Sequence, residues 1–400
     1  MDALESLTVL DFTSHIAGPY ATKLLADLGA RVIKVERPGG DPSRRLGPWL
    51  GDEPGIERSG TYQFLNTNKE SIVLDLKKER GREIARDLVR KADLVVFAYP
   101  PAVAERLGLT YDTVKQWKDI PVLSITNFGF SGPYRDYRLS DTVLFAMGGE
   151  MWSHGTADRE PLKIGGTAAL LQSGAVAAIA ALGAVHAYEV HGIGQHVELS
   201  LFEVQINSID RRSSAILAYR WSGRVNSRPE HSGAGLAGGI YPCADGYVEV
   251  TASRGSYWAR FAEMIGDPVL KDPKWQNPAI AFDPAAKEEA DGIIYPWMLS
   301  HTRREIWAEA RRARALVAPL FTGKDLYEDP VFRERGLWTE VEHATLGKFP
   351  MLGRPYILSE TPWRIRHAAP QLGEHTRAIL GELGYSQDQV DALYQEGVVA

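Results

Sequence analysis

Residues 161–189, PLKIGGTAALLQSGAVAAIAALGAVHAYE, decide how the rest of the chain is read. Gly165 and Gly166 lead into a long run of Ala, Leu, Ile and Val, and a glycine-rich exit, GIG, follows at 192–194. A segment this poor in charge is either a helix buried on nearly every side or a membrane span. Gln172, Ser173 and the many alanines make its summed insertion energy weak, so a buried helix of a soluble protein is the expectation. No Asp or Glu stands between Glu160 and Glu189. That absence governs the functional reading.

Upstream of this helix, short apolar runs alternate with helical spacing. Strands are expected at Leu7–Phe12, Arg31–Val35, Ser71–Leu76, Asp93–Phe97 and Val122–Thr126, and helices at Gly18–Gly29 and Lys78–Ala92. Strands separated by helices in this way imply a parallel, doubly wound α/β sheet. Downstream, His196–Ser200 reads as a strand and Leu201–Tyr219 as helical. Composition shifts near Trp221, and Ser222–Gly239 is rich in Gly, Ser, Arg and Pro. A smaller unit follows to about Leu326. It opens with a hairpin, GIYPCADGYVEVTA, turning at Ala244-Asp245-Gly246, and continues with helices at Ser256–Ile265 and Arg303–Ala315. Leu316–Phe321 begins a return path, and Pro370–Tyr385 reads as a C-terminal helix.

Four hundred residues suffice for two domains, or for one large domain with an insertion. The formal net charge of −6 argues against nucleic acid as a partner, although a local cluster of arginines still suits a small anionic ligand. The single cysteine, Cys243, excludes an internal disulfide and suits a reducing cytoplasm; a small buried hydrophobe is its simplest role. The N-terminus, MDALESLTVLDF, lacks the shape of a signal peptide.

The first strand–helix turn, Asp11 to Pro19, has no G-x-G-x-x-G, which speaks against a dinucleotide. It still places backbone N–H groups at a helix start, where an anion is welcome. His15 reads as a hydrogen-bonded turn residue. Arg37 ends the second strand, where such sheets read ribose or phosphate, and its planar fork suits a phosphate. Arg44, Arg45, Lys69, Lys77 and Arg106 add positive charge on nearby connections, for a polyanionic ligand or merely for solvation. The stretch Ser232–Gly239, with Gly233, Gly235, Gly238 and Gly239, is either a flexible linker or a loop that lets backbone approach a ligand. Trp152, Tyr137, Phe145 and Trp221 serve either as core or as walls of an aromatic pocket. There is no zinc-ligand spacing, H-E-x-x-H, P-loop or G-x-S-x-G.

Several stretches, in order along nearly the whole chain, resemble the class III CoA-transferase family. They are VLDFTSHIAGPYATKLLADLGARVIKVERPGGD (9–41), LNTNKESIVLDL (65–76), ERLGLTYD (105–112), GFSGPY (129–134), PLKIGG with GIGQHVELSLFE (192–203), and LGEHTRAILGELGYS (372–386). The resemblance implies a Rossmann-like large domain whose parallel sheet is formed from both chain ends, 1–221 and 327–400, with a small α+β domain, 222–326, inserted between them. It implies an interlocked dimer, and CoA thioesters as substrates with no further cofactor or metal. Carried over residue by residue, the CoA contacts are Ile16, Ala17, Arg37, Leu74, Asp75, Lys77, Tyr99, Arg106 and Arg138.

The departures lie at the reacting centre. The family's transferases carry an Asp at the start of the long helix; it attacks the donor thioester and becomes the acyl carrier. Leu170 holds that position here. The racemase branch of the family adds a His, and Ser140 stands in its place, next to Asp141. The family's Asn-aromatic-Arg-Pro-Gly run becomes Ala98-Tyr99-Pro100-Pro101-Ala102. The expectation is a non-catalytic subunit paired with an Asp-bearing paralogue, as in succinyl-CoA:benzylsuccinate CoA-transferase, with no membrane partner. The alternatives are an active homodimer using Asp141, Glu150 or His15, and a non-enzymatic CoA-binding protein.

Overall fold

A computed structural model describes residues 2–207, 210–225, 228, 235–253 and 255–400. Six parallel strands form the main sheet: β1 Thr8–Phe12, β2 Arg31–Glu36, β3 Lys69–Val73, β4 Leu94–Phe97, β5 Val122–Thr126 and β6 His196–Ser200. Their order is β3-β2-β1-β4-β5-β6, so the direction of winding reverses between β1 and β4. All six come from the N-terminal half; the C-terminal return joins the same unit without adding a strand to the sheet.

Alternation along the strands feeds two cores. Leu10, Val95 and Phe97 point to one face, covered by Ile84 and Leu88 of the helix Glu79–Lys91 and by Leu380 and Leu393 of the C-terminal helices. Val9, Leu94 and Val96 point to the other, covered by the helix Ala17–Asp27 and the long helix Ala168–His191. Burial on both faces is why these strands read as continuous apolar runs.

The long helix packs mainly against Ala17–Asp27. Its contact face is made of Ala169, Ser173, Gly174, Ala177, Ala178 and Ala181. Small side chains let the two backbones approach closely: a Cβ on Gly174 would lie 2.5 Å from the Ala17 carbonyl oxygen. The helix is long and apolar enough to cross a membrane, with a mean hydropathy of 1.9, yet only half of that window is buried. Ile179 is 70% exposed, and Val176 and Val190 are exposed beside it.

Two expectations shift for physical reasons. The third strand starts at Lys69 rather than Ser71, because both charges there are neutralised, Glu70 by Arg31 at 2.8 Å and Lys69 by Asp11 at 3.1 Å. The C-terminal helix spans only Thr376–Glu382. Ahead of it the backbone bonds sideways, His375 N donating to Ser71 O at 2.9 Å and Gly373 N to Ser71 Oγ at 3.0 Å. These bonds cover the free edge of β3. A further helix, Gln387–Gln395, begins with a capping box of Ser386 and Gln389, a signal present in the sequence.

Contacts divide the chain into two units: Met1–Met151, Lys163–Gly223 and Val331–Ala400 in one, Trp152–Leu162 and Arg224–Pro330 in the other. The smaller unit takes in the segment 152–162, which the sequence reading left in the large domain. Its sheet is antiparallel, β7 Gly238–Cys243, β8 Gly246–Thr251 and β9 Val317–Pro319, packed on a core that includes Trp258, Phe261 and Trp275. The larger unit also carries a hairpin, β10 Trp338–His343 and β11 Gly347–Leu352.

Candidate active site

Ligands of doubly wound sheets sit outside the carboxyl ends of the strands, at the reversal of winding. Two cavities of the larger unit lie there. The first, of about 990 Å³, is lined by residues that follow β2, β3 and β4. It brings together Arg37, Leu74, Asp75, Lys77, Tyr99 and Arg106. Arg45 also lines it, so four cations surround a floor of Leu74, Leu76, Val103 and Leu107. Arg37 Nε donates to Gly40 O at 3.2 Å and Arg45 to Gly39 O at 2.8 Å, which holds the loop after β2 closed beneath their exposed heads. Burial pushes the Tyr99 phenol above its ordinary value, so it stays a neutral donor. Exposed cations around an apolar floor suit a ligand with phosphates at one end and an apolar body.

The second cavity, of about 380 Å³, is lined by Ile16 and Ala17 after β1, Asn127 after β5, and Ser140, Asp141 and Leu170. Leu170 lies in the first turn of the long helix and is 7% exposed. Ser140 caps a short helix by accepting from Val143 N, which commits its hydroxyl oxygen. Asp141 Oδ2 pairs with Lys163 Nζ at 2.6 Å, and Lys163 also donates to Ile164 O at 2.8 Å and Gly166 O at 2.7 Å. Lys163 thus pins the PLKIGG lead-in. Asp141 Oδ1 is buried with no hydrogen-bond partner among the described residues.

The turn after β1, which lines the smaller cavity, rests on a buried ionic network. Asp11 accepts from Thr13 N at 2.8 Å, Thr22 Oγ1 at 2.6 Å and Lys69 Nζ at 3.1 Å. Burial alone would raise the Asp11 carboxyl; Lys69, Lys34 and the two threonine hydroxyls outweigh it and hold it well below the usual carboxylate range. Lys34 donates to Thr13 O at 3.1 Å and lies 2.8 Å from Asp41 Oδ2. Asp41 Oδ1 in turn accepts from His15 N at 3.1 Å and Ser43 N at 2.7 Å. His15 is held at a φ of 74°, so it is a turn residue whose backbone is pinned from below.

Several expected roles change. Arg44 and Lys69 are buried in this network and line neither of these cavities: Arg44 binds Glu36 at 2.7 Å, Glu57 at 2.7 Å and Tyr62 at 2.6 Å. Ile16 and Ala17 line the smaller cavity, not the larger one. Arg138 is exposed and lines neither. Glu150 lies outside the smaller cavity's lining, whereas Asp141 and His15 are part of it. Of the glycine loop, Gly233 falls outside the described residues. Gly238 and Gly239 are the first residues of β7, and Gly235 abuts the Ala281 carbonyl, where a Cβ would lie 2.7 Å away. Gly235 therefore serves close packing within the smaller unit.

The family model for CoA-transferase family III matches residues 4–376. The chain is 32% identical to succinyl-CoA:(R)-benzylsuccinate CoA-transferase subunit BbsE of Thauera aromatica, over 98% of this chain and 97% of that one. It is 33% identical to formyl-CoA:oxalate CoA-transferase of Streptomyces coelicolor, over 99% of each. It is 31% identical to succinate–glutarate CoA-transferase of Agrobacterium fabrum, over 95% of each. Among solved structures, a CAIB/BAIF family protein from Brucella suis superposes with a TM-score of 0.83 at 28% identity, covering 96% of this chain and 99% of that one. With its fold, its paired cavities and its motifs in register, the chain belongs to CoA-transferase family III.

Proposed function

We propose that this chain is the catalytically silent subunit of a heteromeric, cytoplasmic class III CoA-transferase. An Asp-bearing paralogue performs acyl transfer, moving CoA from a donor such as succinyl-CoA to a carboxylic acid such as benzylsuccinate. One observation carries this reading: Leu170, an alkyl side chain, lines the smaller cavity, and it holds the position that the resemblance assigns to the family's nucleophile. It offers no oxygen to bond the acyl carbon and no proton to give. The exposed apolar side of the long helix, with Ile179 and Val190, supports coverage by a second chain. The test is turnover: no CoA transfer by the purified chain alone, and transfer when it is co-expressed with the paralogue. Activity of the lone chain sinks the reading.

CoA itself occupies the larger cavity in this reading, its phosphates met by Arg37, Arg45, Lys77 and Arg106. Replacing Arg37 by Ala is expected to weaken CoA binding on the order of tenfold, the worth of one charge-assisted hydrogen bond. Titration calorimetry with CoA measures it, and unchanged affinity places the phosphates elsewhere.

A second reading is an active homodimer with Asp141 as nucleophile. The observation in its favour is the unpartnered Oδ1 of Asp141 in the lining of the smaller cavity. Against it stands the ion pair with Lys163, which lowers the carboxylate's nucleophilicity.

A further inference from the structure

A third cavity, of about 890 Å³, lies at the other end of the sheet, where β2 and β3 begin at Arg31 and Lys69. Its lining is drawn mainly from β10 and the stretch 365–371, both in the larger unit. Four consecutive residues of β10, Glu340 to His343, take part. Successive side chains of a strand point to opposite faces, so a cavity on one face would collect every second residue. A run of four marks a cavity lying along the strand's edge. β10 pairs with β11 alone, so alternate N–H and C=O groups turn away from the hairpin. No backbone group of 339–343 meets a backbone partner outside the hairpin among the described residues. The second stretch is similar: Ala369 is 2% exposed, yet neither its N–H nor its C=O has a backbone partner among the described residues. His343 adds a donor. Its Nδ1 accepts from Thr345 N at 3.1 Å and Leu346 N at 3.3 Å, so the proton sits on Nε2, which is buried without a partner among the described residues.

An unpaired strand edge is a template for a further strand, and its side chains decide which one fits. On β10, Glu340 and Glu342 are exposed on one side, and Val341 and His343 are buried on the other. β11 shows what such a strand accepts as a neighbour. Lys348 lies across from Glu342 and pairs with Glu340 at 3.5 Å, and Phe349 lies across from Val341. A second copy of β10 would set glutamates against glutamates, which is repulsive. We propose that the outer edge of β10 docks an extended segment of a partner protein, with basic and apolar residues alternating, as a third strand of the hairpin. Its basic side chains meet Glu340 and Glu342, its apolar ones extend the side of Val341, and its backbone supplies the missing hydrogen bonds. The cavity lies at the amino ends of the strands, away from the two at the carboxyl ends, so this docking edge does not depend on the transferase reading.

The probe is the acetylated, amidated peptide KVKVK, titrated into the full chain by calorimetry, with amide hydrogen exchange mapped on the complex. KVKVK is expected to bind and the peptide EVEVE to show no binding. The fully N-methylated form of KVKVK keeps the charges but loses the backbone donors, and is expected to bind about tenfold more weakly, the worth of one or two hydrogen bonds. The Glu340→Lys/Glu342→Lys chain is expected to exchange the preference and take EVEVE. In the complex, the outward-facing amides of 339–343 gain protection. No binding by KVKVK, equal binding of its methylated form, a preference that survives the charge reversal, or protection confined to other segments overturns the proposal. Outward-facing amides already protected in the purified chain place one of its own copies on the edge, and overturn it too. Neither CoA nor turnover enters this readout, so a failed docking edge and a failed transferase reading are told apart.

Discussion

Replacing Leu170 by aspartate is expected to give a chain that forms a covalent acyl adduct with succinyl-CoA, where the wild type forms none. The carboxylate introduced would sit in the first turn of the long helix, where the helix dipole favours negative charge. It would line the smaller cavity, beside the turn after β1. Attack on the thioester carbonyl forms a carbon–oxygen bond and releases CoA as thiolate, leaving a mixed anhydride that hydroxylamine intercepts. The variant should lose stability by about 2–4 kcal/mol, since an apolar contact is lost and a carboxylate is placed at a buried position. Leu170→Asn carries the same structural cost without the nucleophile. An adduct in Leu170→Asp and none in Leu170→Asn supports the silence of the natural chain; a folded, CoA-binding Leu170→Asp that stays unmodified shows that more than one side chain has been lost from the reacting centre.

The second large effect is on stability. Asp11→Ala removes the acceptor shared by Thr13, Thr22 and Lys69 and leaves Lys69 buried without its counter-ion. Removing one partner of a fully buried pair is expected to cost about 3–5 kcal/mol, which urea unfolding of the variant would read. The same network fixes the acid limb of stability. Burial would raise Glu36 and Asp41 as well, but Arg44 and Lys34 hold Glu36 below its ordinary value, and Lys34 and Ser43 do so for Asp41. Near pH 4, then, the unfolded chain binds more protons than the folded one, and stability falls as pH drops through the ordinary carboxylate range. Asp11→Asn should flatten that fall; an unchanged slope would mean that the carboxylate is not ionised in the fold.

The sheet was legible because parallel strands covered on both faces leave uninterrupted apolar runs, and Val122–Thr126 and His196–Ser200 emerge with the ends expected. What escaped was polar. Lys69 and Arg44 read as surface charge in a sequence, since nothing local shows that Asp11 and Glu36 neutralise them from other elements. The C-terminal helix was overextended because its first residues bond to Ser71, some three hundred positions away. The cavity residues were a different case: Arg37, Lys77, Tyr99 and Arg106 stand on separate connections, and only the strand order brings them around one space. The resemblance implied a shared ligand for them, and the fold sets them around one cavity. Arg45 lines the same cavity, and the exposed Arg138 does not.

The most direct measurement follows the acyl group itself. The purified chain, alone and co-purified with its Asp-bearing paralogue, is incubated with succinyl-CoA, trapped with hydroxylamine or borohydride, and weighed intact by mass spectrometry before peptide mapping. The expected result is a modified paralogue and an unmodified mass for this chain in both samples. An acyl or CoA adduct on any residue of this chain, Asp141 above all, contradicts its assignment as the silent subunit.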